Sequence, residues 1–261
     1  MKKKFRADKL LVEKGLVESR EKAQVLILGG KVFYSSNGKA YQRVEKPSDL
    51  LPQEIFLKIE EEIPYVSRGG LKLEGALKVF EINPKDFICL DVGASTGGFT
   101  HCLLIFGAKK VYAIDVGKGQ LHYKLRDDPR VIYYEGINAR YLTEDFFPEK
   151  FDLITVDVSF ISLKKILPVL IPLLKGDGLI LALIKPQFEL SPKEVKKGVV
   201  KDSKLHFRVV QDLWQFAEDI GLKPLGVAES PILGAKGNKE FFICLKKGSC
   251  YNNSNNVFKE V

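Results

Sequence analysis

From residue 86 onward the chain alternates short apolar runs with stretches of helical character, and few folds accept that pattern. The runs are FICLDV at 87–92, KVYAID at 110–115, VIYYEG at 131–136, FDLITVDV at 151–158 and GLILALI at 178–184. Helical stretches lie between most of them, including one after Gly97 and one over 162–174. A helix near 204–219 and two further runs, PLGVAE at 224–229 and EFFICLK at 240–246, complete the series. Such alternation predicts an α/β fold, a doubly wound, Rossmann-like parallel sheet. Open sheets of this kind bind ligands beyond the carboxyl ends of their strands, so the residues that close each run are where a site is sought.

Residues 1–60 read as a separate, small α+β unit. FRADKLLVEKGL has helical spacing and ends at Gly15. Ser19 is placed to cap a second helix, SREKAQVLIL, with Ala23, Leu26 and Ile27 at helical intervals and Gly29-Gly30 to end it. KVFYSSNGKAYQRV follows as strand, Asn-Gly turn and strand, and EIFLKIE at 54–60 alternates like another strand. Residues 61–70 read as a linker, with Pro64 and Gly69-Gly70 marking a bend. The larger domain spans 71–248 and opens on an amphipathic helix carrying Leu73, Ala76, Leu77 and Phe80 on one face. The end, 249–261, is a polar tail.

Composition narrows the class. The 261 residues, 45% of them hydrophobic, suit one large domain or two unequal ones and exclude a disordered chain. A formal charge of +8 favours a polyanionic partner, either nucleic acid or an anionic membrane. The four cysteines form no CxxC pair and the three histidines stand far apart, so no metal site is expected. The basic start of the chain is interrupted by Asp8, Lys9, Glu13 and Lys14, unlike a signal peptide. The longest apolar run, 166–174, has nine residues and two prolines, whereas a membrane span needs about 20. A soluble, cytoplasmic protein is expected.

The stretch CLDVGASTGGFT, residues 89–100, is a glycine loop between strand and helix. A nucleotide triphosphate loop would carry lysine where Phe99 stands. Gly93, Gly97 and Gly98 do not match the dinucleotide spacing, and Asp91 would repel a pyrophosphate. S-adenosylmethionine suits both features. It has no phosphate, its ammonium welcomes Asp91, and glycines let backbone approach a ligand closely. The loop residues Gly93, Ala94, Ser95, Thr96, Gly97, Gly98 and Phe99 are then the candidate cradle. Asp115, 22 residues after Gly93 at the end of the next run, is placed to accept ribose hydroxyls, and Asn138 after the third run to read the adenine edge. Asp157 closes the fourth run and belongs both to the cofactor set and to the chemistry beside it.

That chemistry is constrained by what the strand ends carry. A C5-pyrimidine methylase needs a cysteine nucleophile, and neither VDVSF nor LIKPQF supplies one. Asp157-Val158-Ser159-Phe160 has the spacing of an exocyclic-amine methylase without its prolines, so amine methylation stays a competitor. A ribose 2′-hydroxyl is a weak acid and needs a base, a role open to a lysine that desolvation or a nearby cation has made easier to deprotonate. Lys185 follows the apolar run 178–184, and Asp157 ends the neighbouring one. Spacing singles out those two. Lys72, on a helix, and Glu240, at the start of the last strand, read by spacing alone as ordinary solvated charges.

Two resemblances extend this reading. Arg6, Asp8, Leu11, Ser19, Arg20, Ala23, Ile27, Gly30 and Val32 fall on the pattern of the small RNA-binding domain named after ribosomal protein S-four. That resemblance implies contact with structured RNA through the two-helix face, with Arg6, Lys9, Arg20, Lys22 and Lys31 as its cations. SRGGLKL, the glycine loop, DLITVDVS, LALIKPQFE and GNKEFFI, in that order, resemble the FtsJ-type ribose methyltransferases. Their Lys-Asp-Lys-Glu tetrad carries over to Lys72, Asp157, Lys185 and Glu240. Apart from its tail, the whole chain is similar to the TlyA family, through SREKAQ, SRGGLKL, DVGASTGGFT, DVSFISL and KPQFE. The family implies S-adenosylmethionine-dependent 2′-O-methylation of cytidines in ribosomal RNA on assembled subunits, 23S in some members and both 23S and 16S in others, and not of DNA. It also carries an older haemolysin label. The alternatives are a membrane-acting, pore-forming protein, which needs an amphipathic or spanning segment, and a non-catalytic RNA-binding protein.

Overall fold

The computed structural model describes residues 4–60, 63–195 and 197–248. The polar tail over 249–261 and the first two linker residues lie outside the described residues. The chain forms two compact units, residues 1–62 and 63–261.

In the first unit a short strand β1 (Lys4–Arg6) runs directly into helix α1 (Ala7–Glu13), followed by α2 (Arg20–Leu28) and the strands β2 (Val32–Ser35), β3 (Gln42–Arg43), β4 (Leu50–Pro52) and β5 (Phe56–Ile59). Phe5 and Arg6, expected in the first helix, are strand instead, because their backbone pairs antiparallel with β4, Phe5 opposite Leu51. Ser19 caps α2 as expected, its Oγ accepting from the Lys22 amide at 3.2 Å. The apolar faces of both helices, Leu10, Leu11, Ala23 and Ile27, pack on Val32 and Val44. Asn37-Gly38 does not form a two-residue hairpin. The register sets Tyr34 opposite Gln42, and residues 36–41 make a wider connection. Asn37 Oδ1 accepts from the Lys39 and Ala40 amides there, a side-chain turn that competes with the tight one.

The second unit runs α3 (Gly69–Val79), β6 (Ile88–Val92), α4 (Gly98–Ile105), β7 (Lys110–Asp115), α5 (Tyr123–Arg126), β8 (Val131–Glu135), β9 (Phe151–Val156), α6 (Leu167–Leu170), β10 (Leu174–Ile184), α7 (Pro186–Glu189), α8 (Ser203–Asp219), β11 (Leu222–Glu229) and β12 (Phe241–Lys247). The sheet order is β11-β12-β10-β9-β6-β7-β8, and the chain reverses direction across the sheet between β6 and β9. A crevice at that reversal is the binding position of open α/β sheets. One amendment to the parallel sheet is β12, antiparallel to both β10 and β11. It returns from β11 through a single loop, a connection that only an antiparallel partner permits at that length.

Successive residues of the central strands point to opposite layers. Leu90, Val92, Ile154, Ile180 and Ala182 meet Val209, Val210 and Leu213 of α8. Cys89, Leu153, Leu181 and Leu183 meet Leu73 and Leu77 of α3 and Phe99, Cys102 and Leu103 of α4. The helix expected over 162–174 is broken into α6 and two 3-10 turns, Leu163–Lys165 and Ile171–Leu173. Pro168 and Pro172 remove two amide donors and restrict the residues before them. Residues 63–70, expected as linker, belong to the second unit, and Gly69-Gly70 are the first turn of α3 rather than a bend. These glycines serve close packing: a Cβ on Gly70 would stand 2.1 Å from the Tyr65 ring, and one on Gly98 would stand 2.3 Å from Ser67 Oγ.

Candidate active site

The glycine loop leaves β6 just after a buried carboxylate. Asp91 is fully buried and accepts from Thr100 Oγ1 at 2.7 Å and Thr155 Oγ1 at 3.0 Å. Burial pushes its carboxyl up to about 7, against the lowering effect of those two hydroxyls. Asp91 therefore lies beneath the cradle and not on its surface, and any influence it has on a ligand acts through the loop. Gly93 adopts φ +84, and a Cβ there would fall 2.6 Å from the Asp157 carbonyl oxygen, so only glycine lets β6 and β9 end this close together. Gly97, at φ +95, lies against Leu121 and Leu125 in the same way. Ser95 takes a positive φ of 48 without being glycine. Its amide donates to Asp115 Oδ2 at 2.8 Å, and the Gly117 amide donates to Oδ1 at 2.7 Å. Asp115 thus ties the loop to the end of β7, and a carboxylate holding two donors still has lone pairs for more.

Two cavities open on this loop. One, of about 490 Å³, is lined by Asp115, Val116, Asn138, Phe160 and Ile166 among others. Asn138 reaches it while its Oδ1 accepts from the Arg140 amide at 3.1 Å, which engages one of that oxygen's two lone pairs in a turn. The other, of about 460 Å³, is lined by Ala94, Thr96, Gly98, Phe99, Lys72 and Lys185 among others. Gly93, Ser95, Asp157 and Ser159 wall both, so the two spaces meet at the end of β9.

At the second space the four residues of the expected tetrad form two pairs, with Lys72, Asp157 and Lys185 on its wall and Glu240 buried behind Lys72. Lys185 Nζ stands 2.6 Å from Asp157 Oδ1 and donates to Ser159 Oγ at 2.9 Å. The carboxylate contact is a close ion pair lying off the hydrogen-bond direction, so Oδ1 has a charge partner and no aligned donor. Lys72 Nζ donates to Glu240 Oε2 at 2.6 Å, with the carboxylate only 2% exposed. The antiparallel last strand brings this about: Ile184 pairs with Phe241, so the next residues outward are Lys185 at the end of β10 and Glu240 at the start of β12. The reading of Lys72 and Glu240 as solvated charges is overturned by this burial and pairing across 168 residues of chain.

Several residues here were not among the candidate site residues, although Ser67, Arg68, Ser159 and Phe160 lie within motifs quoted above; only Gly234 gave no sequence signal. Ser159 completes the Lys185 cluster. Gly234 packs its backbone on Glu240, Arg68 donates to the Leu233 carbonyl at 3.2 Å across the cavity mouth, and Ser67 lines the wall. Phe160 is 90% exposed at φ +62, a strained backbone for a bulky residue, with its ring 4.9 Å from Phe188.

In the first unit the predicted cations are unequally organised. Arg6 donates to both oxygens of buried Asp8, at 3.1 and 3.0 Å, Arg20 donates to it at 2.9 Å, and Gln24 adds a third side chain at 3.1 Å. One carboxylate thereby fixes two half-exposed guanidinium groups side by side. Lys9 and Lys22 are exposed, and Lys31 lies 3.9 Å from Glu60. Among the described residues no helix is long and apolar enough to cross a membrane, and no group of three or more His, Cys, Asp or Glu could hold a metal ion.

A glycine cradle at the reversal of an open sheet, with lysine–carboxylate pairs beside it, defines a Rossmann-like methyltransferase. Comparison with known proteins agrees. The model of the FtsJ-like methyltransferases matches residues 65–247. The 16S/23S rRNA (cytidine-2′-O)-methyltransferase TlyA of Mycobacterium tuberculosis is 42% identical over 249 residues, 94% of this chain and 91% of that protein. Hemolysin A of Brachyspira hyodysenteriae is 43% identical over 240 residues, 91% and 98% of the two chains. A solved structure from Streptococcus thermophilus that carries a hemolysin label has a TM-score of 0.72 and 42% identity, covering 98% of this chain and 92% of its own. The chain belongs to the FtsJ-like methyltransferase family.

Proposed function

We propose that the protein methylates the ribose 2′-hydroxyl of cytidines in ribosomal RNA, on assembled subunits, with S-adenosylmethionine as the donor. The observation that carries this reading is the meeting of two largely enclosed lysine–carboxylate pairs with the glycine cradle where the two cavities adjoin. The relatives named for rRNA cytidine-2′-O-methylation support the substrate.

The cradle fits the donor on two counts. The adjoining cavity, about 490 Å³, is of ligand size, and Gly93, on the wall of both spaces, has no room for a Cβ. Asp115 and Asn138 would hold its ribose and adenine, and the loop over 93–99 its amino-acid end. When bound, the donor supplies a methyl group already activated on a sulfonium. The protein's own work is alignment and proton removal. Lys185 Nζ contacts the 2′-hydroxyl and takes or relays its proton. Asp157 and Ser159 fix where that nitrogen points. Glu240 holds Lys72 against the same cavity. The target nucleotide is extruded to reach the strand ends, and exposed Phe160 at the cavity rim offers a face on which a base stacks. Arg6 and Arg20, fixed by Asp8, grip RNA phosphates with Lys9, Lys22 and Lys31.

Radiolabelled methyl transfer to unmodified 30S and 50S subunits tests the reading, with the label mapped by nuclease digestion. Label on a cytidine ribose is expected. Lys185→Ala should bind S-adenosylmethionine normally by calorimetry and transfer nothing; wild-type turnover in that variant refutes the role of Lys185.

A further inference from the structure

Glu189 has no part in the chemistry above, yet its carboxylate is largely enclosed and both oxygens are engaged. Ser162 Oγ donates to Oε2 at 2.5 Å, and the Leu163 amide donates to Oε1 at 2.8 Å. Both donors lie on the segment that follows β9, a few residues beyond Asp157 and Ser159. Glu189 itself ends α7, one helical turn after Lys185. The two segments therefore meet at successive points. Lys185 reaches Asp157 and Ser159, the Phe188 ring meets the Phe160 ring, and Glu189 reaches Ser162 and Leu163. Only the last of these ties involves no group at the reaction cavity.

We infer that Glu189 is a positioning residue, which clamps the segment after β9 against α7 and so sets the distance between Lys185 and its partners Asp157 and Ser159. The inference rests on the reading that Lys185 acts in methyl transfer. Phe160 makes the clamp necessary. Its backbone is strained at φ +62 between Ser159 and Ser162, so this segment relaxes unless something beyond it holds it. Hydrogen bonds to Ser162 and Leu163 sit on the far side of the strained residue, where they oppose that relaxation. Burial pushes the Glu189 carboxyl above its usual range, against its two hydrogen bonds and the charge of nearby Lys164. The clamp itself is made by hydrogen bonds from one hydroxyl and one amide. An uncharged group of the same shape, accepting from Leu163 and bonding Ser162, preserves it.

The test uses full-length Glu189→Ala, Glu189→Gln and Ser162→Ala, with kinetics of subunit methylation, calorimetric affinity for S-adenosylmethionine, and crystal structures. A misplacement on the order of 1 Å can cost about 100-fold in rate. Glu189→Ala should lose about 10- to 100-fold in kcat, with cofactor affinity within about twofold of wild type. Glu189→Gln should restore kcat to within about threefold, and Ser162→Ala, which removes only one bond, should fall between. Wild-type kcat in Glu189→Ala, or a Glu189→Gln variant as slow as Glu189→Ala, overturns the clamp. So does a Glu189→Ala crystal structure in which Ser159 Oγ still lies 2.9 Å from Lys185 Nζ, whatever the substrate. A wild-type protein that labels neither subunit overturns the functional reading instead, and the crystal structure then decides the clamp by itself.

Discussion

Gly234 has φ −75 and ψ −166, an ordinary extended conformation, so replacing it by alanine carries no backbone penalty. The penalty comes from what the new methyl meets. A Cβ at that position stands 1.9 Å from Glu240 Oε1 and 2.2 Å from its carboxyl carbon. Real Cβ contacts essentially never fall under 3.0 Å, so the carboxylate must retreat by about 1.1 Å. Glu240 is only 2% exposed, and its partner Lys72 Nζ is 2.6 Å away. Losing that alignment costs about 2–3 kcal/mol, the worth of a charge-assisted hydrogen bond with one partner left buried. For a domain of this size, that is a fall of roughly 4–12 °C in Tm. Methyl transfer should drop about 10- to 100-fold because Lys72 is no longer held at the cavity. Calorimetry and subunit methylation of Gly234→Ala measure both. Gly237→Ala is the control. It lies three residues on at φ +80 with nothing within 4 Å, so it carries backbone strain of about 1–2 kcal/mol and no clash. Wild-type melting and turnover in Gly234→Ala, or equal loss of turnover in Gly237→Ala, would refute the steric argument.

Three further outcomes follow from the buried carboxylates. Asp91 titrates at about 7 in the fold against 3.8 unfolded, so protonation stabilises the folded state. That contribution is complete below pH 4 and is lost as pH rises through 7, by up to roughly 4 kcal/mol. Asp91→Asn should remove this dependence, its urea midpoint rising relative to wild type between pH 5 and 8; parallel curves would refute it. Asp115→Ala frees the Ser95 and Gly117 amides from their acceptor and should weaken S-adenosylmethionine binding about 10- to 100-fold by calorimetry, where unchanged affinity removes Asp115 from the site. Asp8 behaves oppositely to Asp91. The guanidinium of Arg6 is the main cause holding its carboxyl well below the usual range, so its stabilisation is present above the unfolded value and fades on acidification beneath it. Asp8→Asn should blunt that acid sensitivity and weaken binding to ribosomal subunits while leaving cofactor affinity unchanged. Undiminished subunit binding would separate the arginine pair from RNA recognition.

The sheet was legible in the sequence because its inner strands are buried on both faces and read as unbroken apolar runs. The direction of β12 was not, since an apolar run carries no arrow and only the 230–240 return sets it. Pro168 and Pro172 could have warned against a continuous helix over 162–174, yet the apolar residues around them kept a helical appearance. Lys185 and Asp157 showed themselves by ending apolar strands. Lys72 and Glu240 came from resemblance alone, because their partnership spans 168 residues and each looks solvated in its own neighbourhood. Asp91 was visible as an unusual acid but not as a fully buried one, since its enclosure depends on Thr100 and Thr155 from two other elements. Gly234 left no mark at all, for a glycine in a loop does not declare what it lies against.

The antiparallel β12 also governs the order in which the molecule can be completed. It is the last strand among the described residues and yet it occupies an interior place, between β10 and β11. During synthesis β11 emerges with no neighbour to bond and must wait beside an open slot until residues 241–247 arrive. Glu240 arrives with them, so the growing chain holds three tetrad residues well before the fourth. An early stop between 230 and 240 would leave two unpaired strand edges facing one slot, a template for wrong pairing with other chains. Completion of the second lysine–carboxylate pair and protection from aggregation thus come at the same moment of translation, when β12 slides home.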